Sequence, residues 1–263
     1  MNKMTTSCSQ KMMMLAVSAC FLSGCASVNN RQDPLESMNR AIFSFNEKFD
    51  EFVLEPTARA YQAVVPDPIE MIVGNFFSNI GDVVVTANSL LQLKFTDAAA
   101  SSTRVLINTT FGLLGVVDLA SHISQVSDID ISKRNEDFGQ TLGFYGVGTG
   151  PYLVLPILGP STVRDTVGTG VDSLVFDPLR SSLYNKFDSL TVRLPVTTLQ
   201  IIDIRAQRLD LDKTLEEAAL DKYEFVRDAY LQRRESLVQD GDVPKEQDLE
   251  EFEDLNDDLF REN

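Results

Sequence analysis

The sequence predicts a mainly α-helical, lipid-anchored protein, and three observations support this fold class. Apolar residues recur at steps of three and four along several segments, which is the period of an amphipathic helix. No segment shows the regular alternation of apolar and polar residues that marks a half-buried strand. The first 25 residues have the layout of a signal that ends in an acylated cysteine.

The N-terminal signal begins with the basic residues Lys3 and Lys11 and continues with an apolar stretch over residues 12–22 that is too short to span a bilayer. Residues 22–25, Leu-Ser-Gly-Cys, form a bacterial lipobox. We therefore predict cleavage before Cys25, a diacylglyceryl group on its thiol and usually an acyl chain, such as palmitate, on the new amine. Each buried CH₂ contributes about 0.8 kcal/mol, so several chains make a stable anchor.

The mature chain keeps Cys25 as its only cysteine, because Cys8 and Cys20 lie in the signal. Its sulfur carries lipid, so we expect no disulfide, no cysteine-based metal site and no thiol nucleophile. Ala26 and Ser27 follow the cysteine. The lack of an Asp in these two positions favours the outer membrane over retention in the inner membrane.

Charge is unevenly distributed along the chain. The formal net charge is -16, and residues 240–263 hold eleven acidic and two basic residues, a net of -9. This composition predicts a solvated, disordered tail, with a docking tail for a basic partner as the alternative. We divide the chain into a signal (1–24), one helical domain (25–239) and the acidic tail (240–263). Nucleic acid is excluded as a partner, because phosphate neutralisation needs Lys and Arg clusters.

Two central stretches are poor in charge. Residues 71–127 contain five charged residues in 57, and residues 141–163 contain none in 23. The second stretch has the length of a membrane-spanning helix, but its glycines and prolines exclude a continuous helix. An irregular backbone of this polarity needs cover from protein or a wet cavity. The sequence leaves buried core and membrane contact as equal alternatives for both stretches.

Four helical segments follow from apolar spacing and from capping residues. Asp33 and Pro34 read as N-cap and first residue of the first helix, whose stripe is Leu35, Met38, Ile42, Phe45, Phe49 and Phe52. The second begins near Pro68, with a wide apolar arc of Ile69, Val73, Phe76, Ile80, Val83, Ala87 and Leu91. We expect Asp97 to cap a third helix that continues through Leu106, and Gly112 and Gly115 to interrupt the chain after it.

Near the C-terminus the pattern predicts a conventional surface helix that ends around residues 240–244. Its expected apolar face is Leu215, Ala219, Tyr223, Val226, Tyr230 and Leu237. Its expected polar face is Glu217, Asp221, Glu224 and Asp228.

Catalytic chemistry finds little support in the sequence. His122 is the only histidine, and although Asp118 lies one helical turn before it, no nucleophile is marked beside the pair. There is no Gly-x-Ser-x-Gly motif, and the glycines from 146 to 150 lack the spacing of a dinucleotide loop. We expect no enzyme activity, no cofactor and no metal.

Two long motifs carry a family resemblance. Residues 33–46, DPLESMNRAIFSFN, resemble the opening signature of the MlaA (VacJ) lipoprotein family. Residues 138–165, FGQTLGFYGVGTGPYLVLPILGPSTVRD, resemble its central signature. Coverage runs from the lipobox to about Val238, and the acidic tail departs in detail.

The resemblance implies a ring-like bundle of amphipathic helices embedded in the periplasmic leaflet of the outer membrane. It further implies association with a trimeric porin. Such a protein takes phospholipids that are mislocalised in the outer leaflet, passes them through a central channel and delivers them to the periplasmic carrier MlaC, which maintains outer-membrane lipid asymmetry.

The expected channel must give a headgroup a wet route while the acyl tails stay in oil. We take the Gly/Pro-rich segment from Gly139 to Gly159 as its adjustable part, because glycines permit unusual backbone angles and close packing. A purely structural loop is an equal alternative. The candidate channel residues are Asn39, Arg40, Gly143, Gly146, Gly148, Gly150 and Tyr152. Arg40 could also serve in a structural ion pair, which is likewise the first reading of Arg164 with Asp165.

Two other functions compete with lipid passage. One is an envelope scaffold that tethers a porin without passing lipid. The other is a lipid-modifying enzyme. The sequence does not identify the porin, the headgroup preference or the direction of net transport.

Overall fold

The structure is a computed structural model that describes residues 33–186, 190–209 and 221–240, and this part of the chain is mainly helical, as predicted. Cys25 and residues 241–263 lie outside the described residues. Their predicted roles as lipid anchor and disordered tail stay predictions.

Every secondary-structure element in the first half of the described chain is helical. Its elements are α1 (Glu36–Phe49), a π-helical turn (Asp50–Leu54), α2 (Glu55–Val64), α3 (Asp67–Leu91), α4 (Phe95–Thr110) and α5 (Leu119–Val126). Because the π-helical turn joins α1 to α2 without a break, the first predicted helix is longer than its apolar stripe suggested. The break expected at Gly112 and Gly115 is present between α4 and α5.

The second half combines short helices with one hairpin. Its elements are α6 (Phe138–Phe144), β1 (Tyr152–Leu155), β2 (Gly159–Thr162), α7 (Val163–Val171), a second π-helical turn (Asp172–Phe176), α8 (Pro178–Lys186), α9 (Leu190–Ala206) and α10 (Lys222–Val238).

Two predicted N-caps are wrong. α1 begins after Leu35, and the Asp33 carboxylate instead accepts hydrogen bonds from the Asn39 amide and the Tyr223 hydroxyl. α4 begins at Phe95, so Asp97 lies inside its first turn, where it pairs with Arg134 at 2.8 Å. In both cases a partner distant in sequence binds the carboxylate that local spacing had assigned to the helix end.

Three other side chains do cap helices. Asp118 accepts from Ser121 N at the start of α5, Asp137 from Gln140 N at α6, and Thr162 from Asp165 N at α7. Each cap satisfies a backbone N–H that lacks a partner inside its helix. The caps at Asp137 and Thr162 fix where the two helices of the central signature begin.

The C-terminal helix departs from its prediction. Asp221, expected on the polar face, is the N-cap of α10 and accepts from Tyr223 N and Glu224 N. The buried residues of α10 are Tyr223, Arg227 and Arg234. Arg234 is buried against Asp137 and Asp165, and Arg227 lies 3.8 Å from the buried Asp33 while it pairs with Asp228 of its own helix, so α10 is not a conventional surface helix. The predicted residues from 215 to 219 lie outside the described part.

A β-hairpin occupies part of the segment in which no strand was predicted. β1 and β2 pair antiparallel, with Tyr152 opposite Thr162 and Leu155 opposite Gly159. Along β1 burial alternates, yet all four residues are apolar, which hides the strand period in the sequence. Pro160 in β2 argued further against a strand.

Contacts between the elements close a circuit. α1 packs on β1, β2 on α10, α10 on α6, α6 on α3, α3 on α9 and α9 on α2, which leads back to α1 through the π-helical turn. α4 packs along α3 outside this circuit. None of the described helices combines the length and the apolar character needed to cross a bilayer.

Candidate functional site

The distribution of polarity is inverted relative to a water-soluble protein. Among the described residues, twenty polar or charged residues are buried against eleven apolar ones, and five of those eleven are alanines. Thirty large apolar side chains are exposed, among them Phe111 (74%), Leu113 (71%) and Leu106 (67%). Soluble proteins bury such side chains and rarely leave large contiguous apolar surfaces in water. The interior of this fold is therefore held together largely by polar contacts.

One buried network joins α3, α4 and α5. Arg104, 1% exposed, donates to Asp82 and to Asp118 at 3.0 Å each, and to the carbonyl of Ile131 at 3.1 Å. Burial would raise the pKa of Asp118, but hydrogen bonds from Ser121 and Asn108 and the charge of Arg104 outweigh it and lower the pKa to about 2. This network is structural, since it fixes three helices to one guanidinium.

A second buried network joins α6, α7 and α10. Arg234 donates to both oxygens of Asp137 and, at 2.9 Å, to Asp165, which also accepts from the Tyr230 hydroxyl at 2.8 Å. Burial would raise the pKa of Asp137 and Asp165, but the Arg234 guanidinium outweighs it and holds both below their usual value. The two carboxylates are therefore charged at neutral pH.

A cleft of about 410 Å³ lies beside this second network. The glycine-rich loop between α6 and β1, the start of α7 and one face of α10 line it. Its residues are Gly148, Thr149, Gly150, Arg164, Leu231, Glu235, Val238 and Gln239. Clefts of this size hold small ligands, and this one includes two of the predicted channel glycines.

The glycine-rich loop has two residues in the left-handed region, Gly146 at φ +84° and Gly150 at φ +68°. A Cβ on Gly146 would meet open space, whereas one on Gly150 would lie 3.2 Å from Val163 Cβ. Gly148 has neither constraint, since its φ is not positive and a Cβ there would also meet open space. Backbone geometry therefore requires glycine at positions 146 and 150, but not at 148.

Arg164 is the buried cation of the cleft. It is 6% exposed, its Nε donates to Asp165 at 3.1 Å and its Nη1 to the Val147 carbonyl at 3.4 Å. Its Nη2 is buried without a hydrogen-bond partner. Gly143 makes room for this guanidinium, because a Cβ there would lie 2.9 Å from Nη1. The ion pair with Asp165 that the sequence indicated is present.

The backbone donors at the start of α7 are already used. Val163 N donates to the Pro151 carbonyl and Arg164 N to the Thr149 carbonyl, at 3.2 Å each. These bonds attach the C-terminal end of the glycine-rich loop to α7. The guanidinium of Arg164 therefore still offers an N–H donor on this side of the cleft, since its Nη2 has no partner.

Asn39 and Tyr152, predicted as channel residues, are both completely buried. The Asn39 amide donates to Asp33 Oδ1 at 2.8 Å and to the Tyr152 carbonyl at 3.0 Å, and accepts from Val154 N at 2.9 Å. In this structure Asn39 joins α1 to β1, and the Tyr152 ring packs against Tyr223 and Tyr230. Neither side chain lines the cleft.

Arg40 forms the structural ion pairs that the sequence offered as one alternative. Its guanidinium bonds Glu36 at 2.8 Å, Asp221 at 2.9 Å and Glu224 at 3.0 Å, and it lies 4.4 Å from the centre of the Tyr223 ring. It holds the start of α10 against α1. Its side chain remains 36% exposed.

The structure thus brings Gly143, Gly148 and Gly150 close to Arg164, leaves Gly146 in the loop but outside the lining of the cleft, and places Asn39, Arg40 and Tyr152 in the joint between α1, β1 and α10. Sequence reasoning missed Glu235 and Asn46. Asn46 repeats the role of Asn39 one heptad later, donating to the Leu155 carbonyl at 2.9 Å and accepting from Ile157 N at 2.8 Å. Both asparagines stand in the opening signature, seven residues apart, and that spacing was the available signal.

A larger cleft of about 840 Å³ lies between α1, the π-helical turn, α2, α9 and α10. Its charged lining is mostly paired within the protein: Arg205 with Asp50 at 2.6 Å, Lys222 with Glu47 at 3.0 Å, and Arg59 with Glu55 at 2.8 Å. Within the described ranges, no group of His, Cys, Asp and Glu side chains is arranged to hold a metal ion.

Comparison with known proteins gives one consistent result. The model of the family described as MlaA lipoprotein matches residues 31–237. The chain is 35% identical over 250 residues to the intermembrane phospholipid transport system lipoprotein MlaA of Escherichia coli, covering 93% of this chain and 95% of that protein. It is 34% identical over 253 residues to the protein of the same name in Haemophilus influenzae, covering 94% and 95%.

A solved structure described as "Structural basis for maintenance of bacterial outer membrane lipid asymmetry" superposes with a TM-score of 0.68 at 33% sequence identity. The match covers 79% of this chain and 100% of that one.

Proposed function

The chain belongs to the MlaA lipoprotein family, and from that premise we propose that it removes mislocalised phospholipids from the outer leaflet of the outer membrane. It passes them through a channel to the periplasmic lipid carrier MlaC and so maintains lipid asymmetry. It is held in the periplasmic leaflet by the acylated Cys25 and is associated with a trimeric porin. The lipid is moved without chemical change.

The observation that carries this proposal is the inverted polarity. Thirty exposed large apolar side chains surround an interior whose buried residues are mostly polar. Lipid tails are an apolar solvent in which such a surface is stable, and buried polar groups then need partners inside the protein. A protein of this kind provides a polar path inside an apolar envelope.

The circuit of packed helices supports a ring-like arrangement of this path. Amphipathic helices that lie in the membrane interface bury their apolar faces in the acyl region without crossing the bilayer. This agrees with the absence of a spanning helix among the described residues. A headgroup inside the ring exchanges water for protein polar groups while its tails follow the apolar side.

The glycine-rich loop is the part of the proposed channel that we expect to move. Its C-terminal end is attached to α7 through Thr149 and Pro151. Gly146 and Gly148 of this loop carry no side chain and have open space where a Cβ would stand. A change at those glycines alters the opening beside Arg164 without breaking the buried networks.

The decisive test is lipid transfer by the purified, acylated protein. Proteoliposomes that contain it, with a porin, are mixed with the lipid-free carrier, and lipid on the carrier is then quantified and its mass measured. We expect carrier loading well above protein-free vesicles, with the lipid mass unchanged. Porin binding without loading would favour the envelope scaffold, and an altered lipid mass would favour the enzyme.

A further inference from the structure

The cleft beside Arg164 carries two opposite charges that do not meet. Arg164 lines it from α7 and Glu235 from α10, and no ion pair within 4.0 Å links these two described residues. They flank the bond between their neighbours, Asp165 and Arg234. A guanidinium and a carboxylate that face one cleft without contact leave space for a ligand carrying both charges.

Each of the two groups has unused bonding capacity. Arg164 Nη2 is buried and has no hydrogen-bond partner, although a buried donor left unsatisfied costs about 1–3 kcal/mol. Among the residues that the structure describes, no side chain pairs with the carboxylate of Glu235, which is exposed. A buried donor without a partner points to a ligand at that position more strongly than exposed lysines would.

The other residues that line the cleft can contact the parts of a lipid next to its charged groups. Leu231, Glu235 and Val238 are spaced by four and three residues and therefore share one face of α10. The carboxylate thus stands between two half-buried apolar side chains. Thr149 and Gln239 add neutral polar groups. Because Gly148 and Gly150 have no side chains, the wall opposite α10 does not project into the cleft.

We propose that this cleft binds the headgroup of a zwitterionic phospholipid, with the phosphate at Arg164 Nη2 and the amine at Glu235. The proposal rests on the proposed function for the assignment of lipid as the ligand. A guanidinium donates charge-assisted hydrogen bonds to a phosphodiester, and a carboxylate pairs with a primary ammonium. A lipid with an uncharged glycerol headgroup satisfies only the first of these contacts.

The binding site is coupled to the glycine-rich loop through the same guanidinium. Arg164 Nη1 donates to the Val147 carbonyl, which lies between the two left-handed glycines. Movement of the loop releases this bond and gives the phosphate a second N–H. Headgroup capture and loop opening therefore favour each other.

The experiment measures lipid binding directly, by native mass spectrometry of the full mature protein in detergent, titrated with phosphatidylethanolamine or with phosphatidylglycerol. We expect the wild-type protein to favour phosphatidylethanolamine. Glu235→Gln should reduce that preference about three- to fivefold, the range of a partly exposed ion pair. Asp128→Asn, which removes an exposed carboxylate outside the cleft, should leave the preference unchanged.

Arg164→Gln should weaken binding of both lipids about tenfold, because each loses a charge-assisted bond. Arg233→Gln removes the same charge from an exposed position on α10 and should have no effect. If the Arg164→Gln variant does not fold, the result for Glu235→Gln alone tests the proposal. An unchanged lipid preference in Glu235→Gln overturns the proposal.

Inorganic phosphate serves as a competitor to separate lipid from a free anion. Displacement of phosphatidylethanolamine by phosphate at concentrations comparable to the lipid would overturn the headgroup assignment in favour of a phosphate site. Normal carrier loading with unaltered binding in both cleft variants would overturn the headgroup site while leaving lipid transport intact. Selective binding without carrier loading would support the headgroup site and refute transport.

Discussion

At the scale of single residues, the opening signature is explained by hydrogen bonds to one strand. Asn39 and Asn46 lie on the same face of α1, and each bonds a backbone carbonyl and a backbone N–H in or just after β1. The helix thereby satisfies backbone groups of a hairpin that has only two strands. These amides have a structural reason to be asparagine that does not involve lipid.

Replacing Asn39 tests this role. Asn39→Ala leaves Asp33 Oδ1, the Tyr152 carbonyl and Val154 N without their partner in a buried place, and each unsatisfied group costs about 1–3 kcal/mol. We expect a large drop in melting temperature with unchanged carrier loading per folded molecule. Asn46→Ala, at a partly buried site, should cost less. Full stability with defective loading in Asn39→Ala would instead favour the channel role.

The carboxylate of Asp118 gives stability that depends on pH. Its pKa is about 2 in the folded protein, below the usual 3.8, so its contribution is complete above pH 3.8 and is lost as pH falls toward 2. The shift corresponds to at most about 2.5 kcal/mol, less after solvent screening. The difference in unfolding free energy between wild type and Asp118→Asn should therefore shrink from pH 5 to pH 2.5. A difference that stays constant over this range would contradict the assignment.

Cys25 provides a residue-scale test of the lipid anchor. Cys25→Ser removes the thiol that the lipobox predicts to be acylated. We expect no palmitate labelling, accumulation of the uncleaved precursor in the inner membrane and phospholipid in the outer leaflet. Labelling of this variant at the wild-type level would show that the lipobox interpretation is wrong.

At the scale of elements, the uncharged stretch (residues 141–163) and the residues on either side of it form short pieces joined by strained or open positions. α6, the glycine-rich loop, the hairpin and α7 follow one another within 34 residues (138–171), and Gly146, Gly150 and Gly159 have positive φ. The glycines disfavour a regular helix in this segment and allow its turns to adopt other backbone angles. The glycine-rich loop is bonded to α7 at its C-terminal end, and α6 and β2 on either side of it pack against α10, so we expect movement to be concentrated in the loop.

The glycines of this loop allow a matched comparison. Gly146→Val and Gly150→Val place a β-branched residue at positive φ, at a cost of about 1–3 kcal/mol each. We expect both to expose phospholipid in the outer leaflet while protein level and porin co-purification are kept. Gly81→Val, the matched control in α3 with open space beside it and no positive φ, should behave as wild type. Wild-type asymmetry in both well-expressed valine variants would refute the gating role of the loop.

At the scale of the whole molecule, the apolar exterior is the dominant physical property. The turn between α4 and α5 shows it most sharply, because Leu113 and Leu114 are 71% and 68% exposed and both have positive φ. Positive φ at a leucine costs conformational free energy. Burial of the two leucine side chains in an apolar environment offsets this cost. In the proposed setting that environment is the acyl region of the leaflet.

Liposome flotation tests this surface in chains without the acyl anchor. With residues 1–25 removed as the background, so that neither the signal nor the acylated cysteine is present, Leu113→Asp and Leu114→Asp should each weaken membrane partition about tenfold or more, since burial of a leucine contributes about 1.5–3 kcal/mol. Thr110→Asp adds the same charge at an exposed polar residue nearby and should have a smaller effect. Equal flotation of all four chains would show that this turn does not contact lipid.

The sequence by itself determined the helical class, the lipobox and the family. Helical period and signal layout are local properties, and the two signatures are contiguous, so each could be found without knowing any distant contact. The position of α3 was predicted well because Pro68 and a wide apolar arc both act within the helix itself. The hairpin was not predicted, because four consecutive apolar residues conceal a period of two.

The bonding partners of the buried carboxylates and the lining of the cleft were decided only by the tertiary structure. Asp33 and Asp97 were assigned as caps by spacing, yet their partners Tyr223 and Arg134 lie 190 and 37 residues away. The cleft likewise depends on α7 and α10 meeting, which places Glu235 opposite Arg164. A carboxylate binds the cation or N–H that folding brings within reach, and in a protein with a polar interior that choice is made by long-range packing rather than by the local sequence.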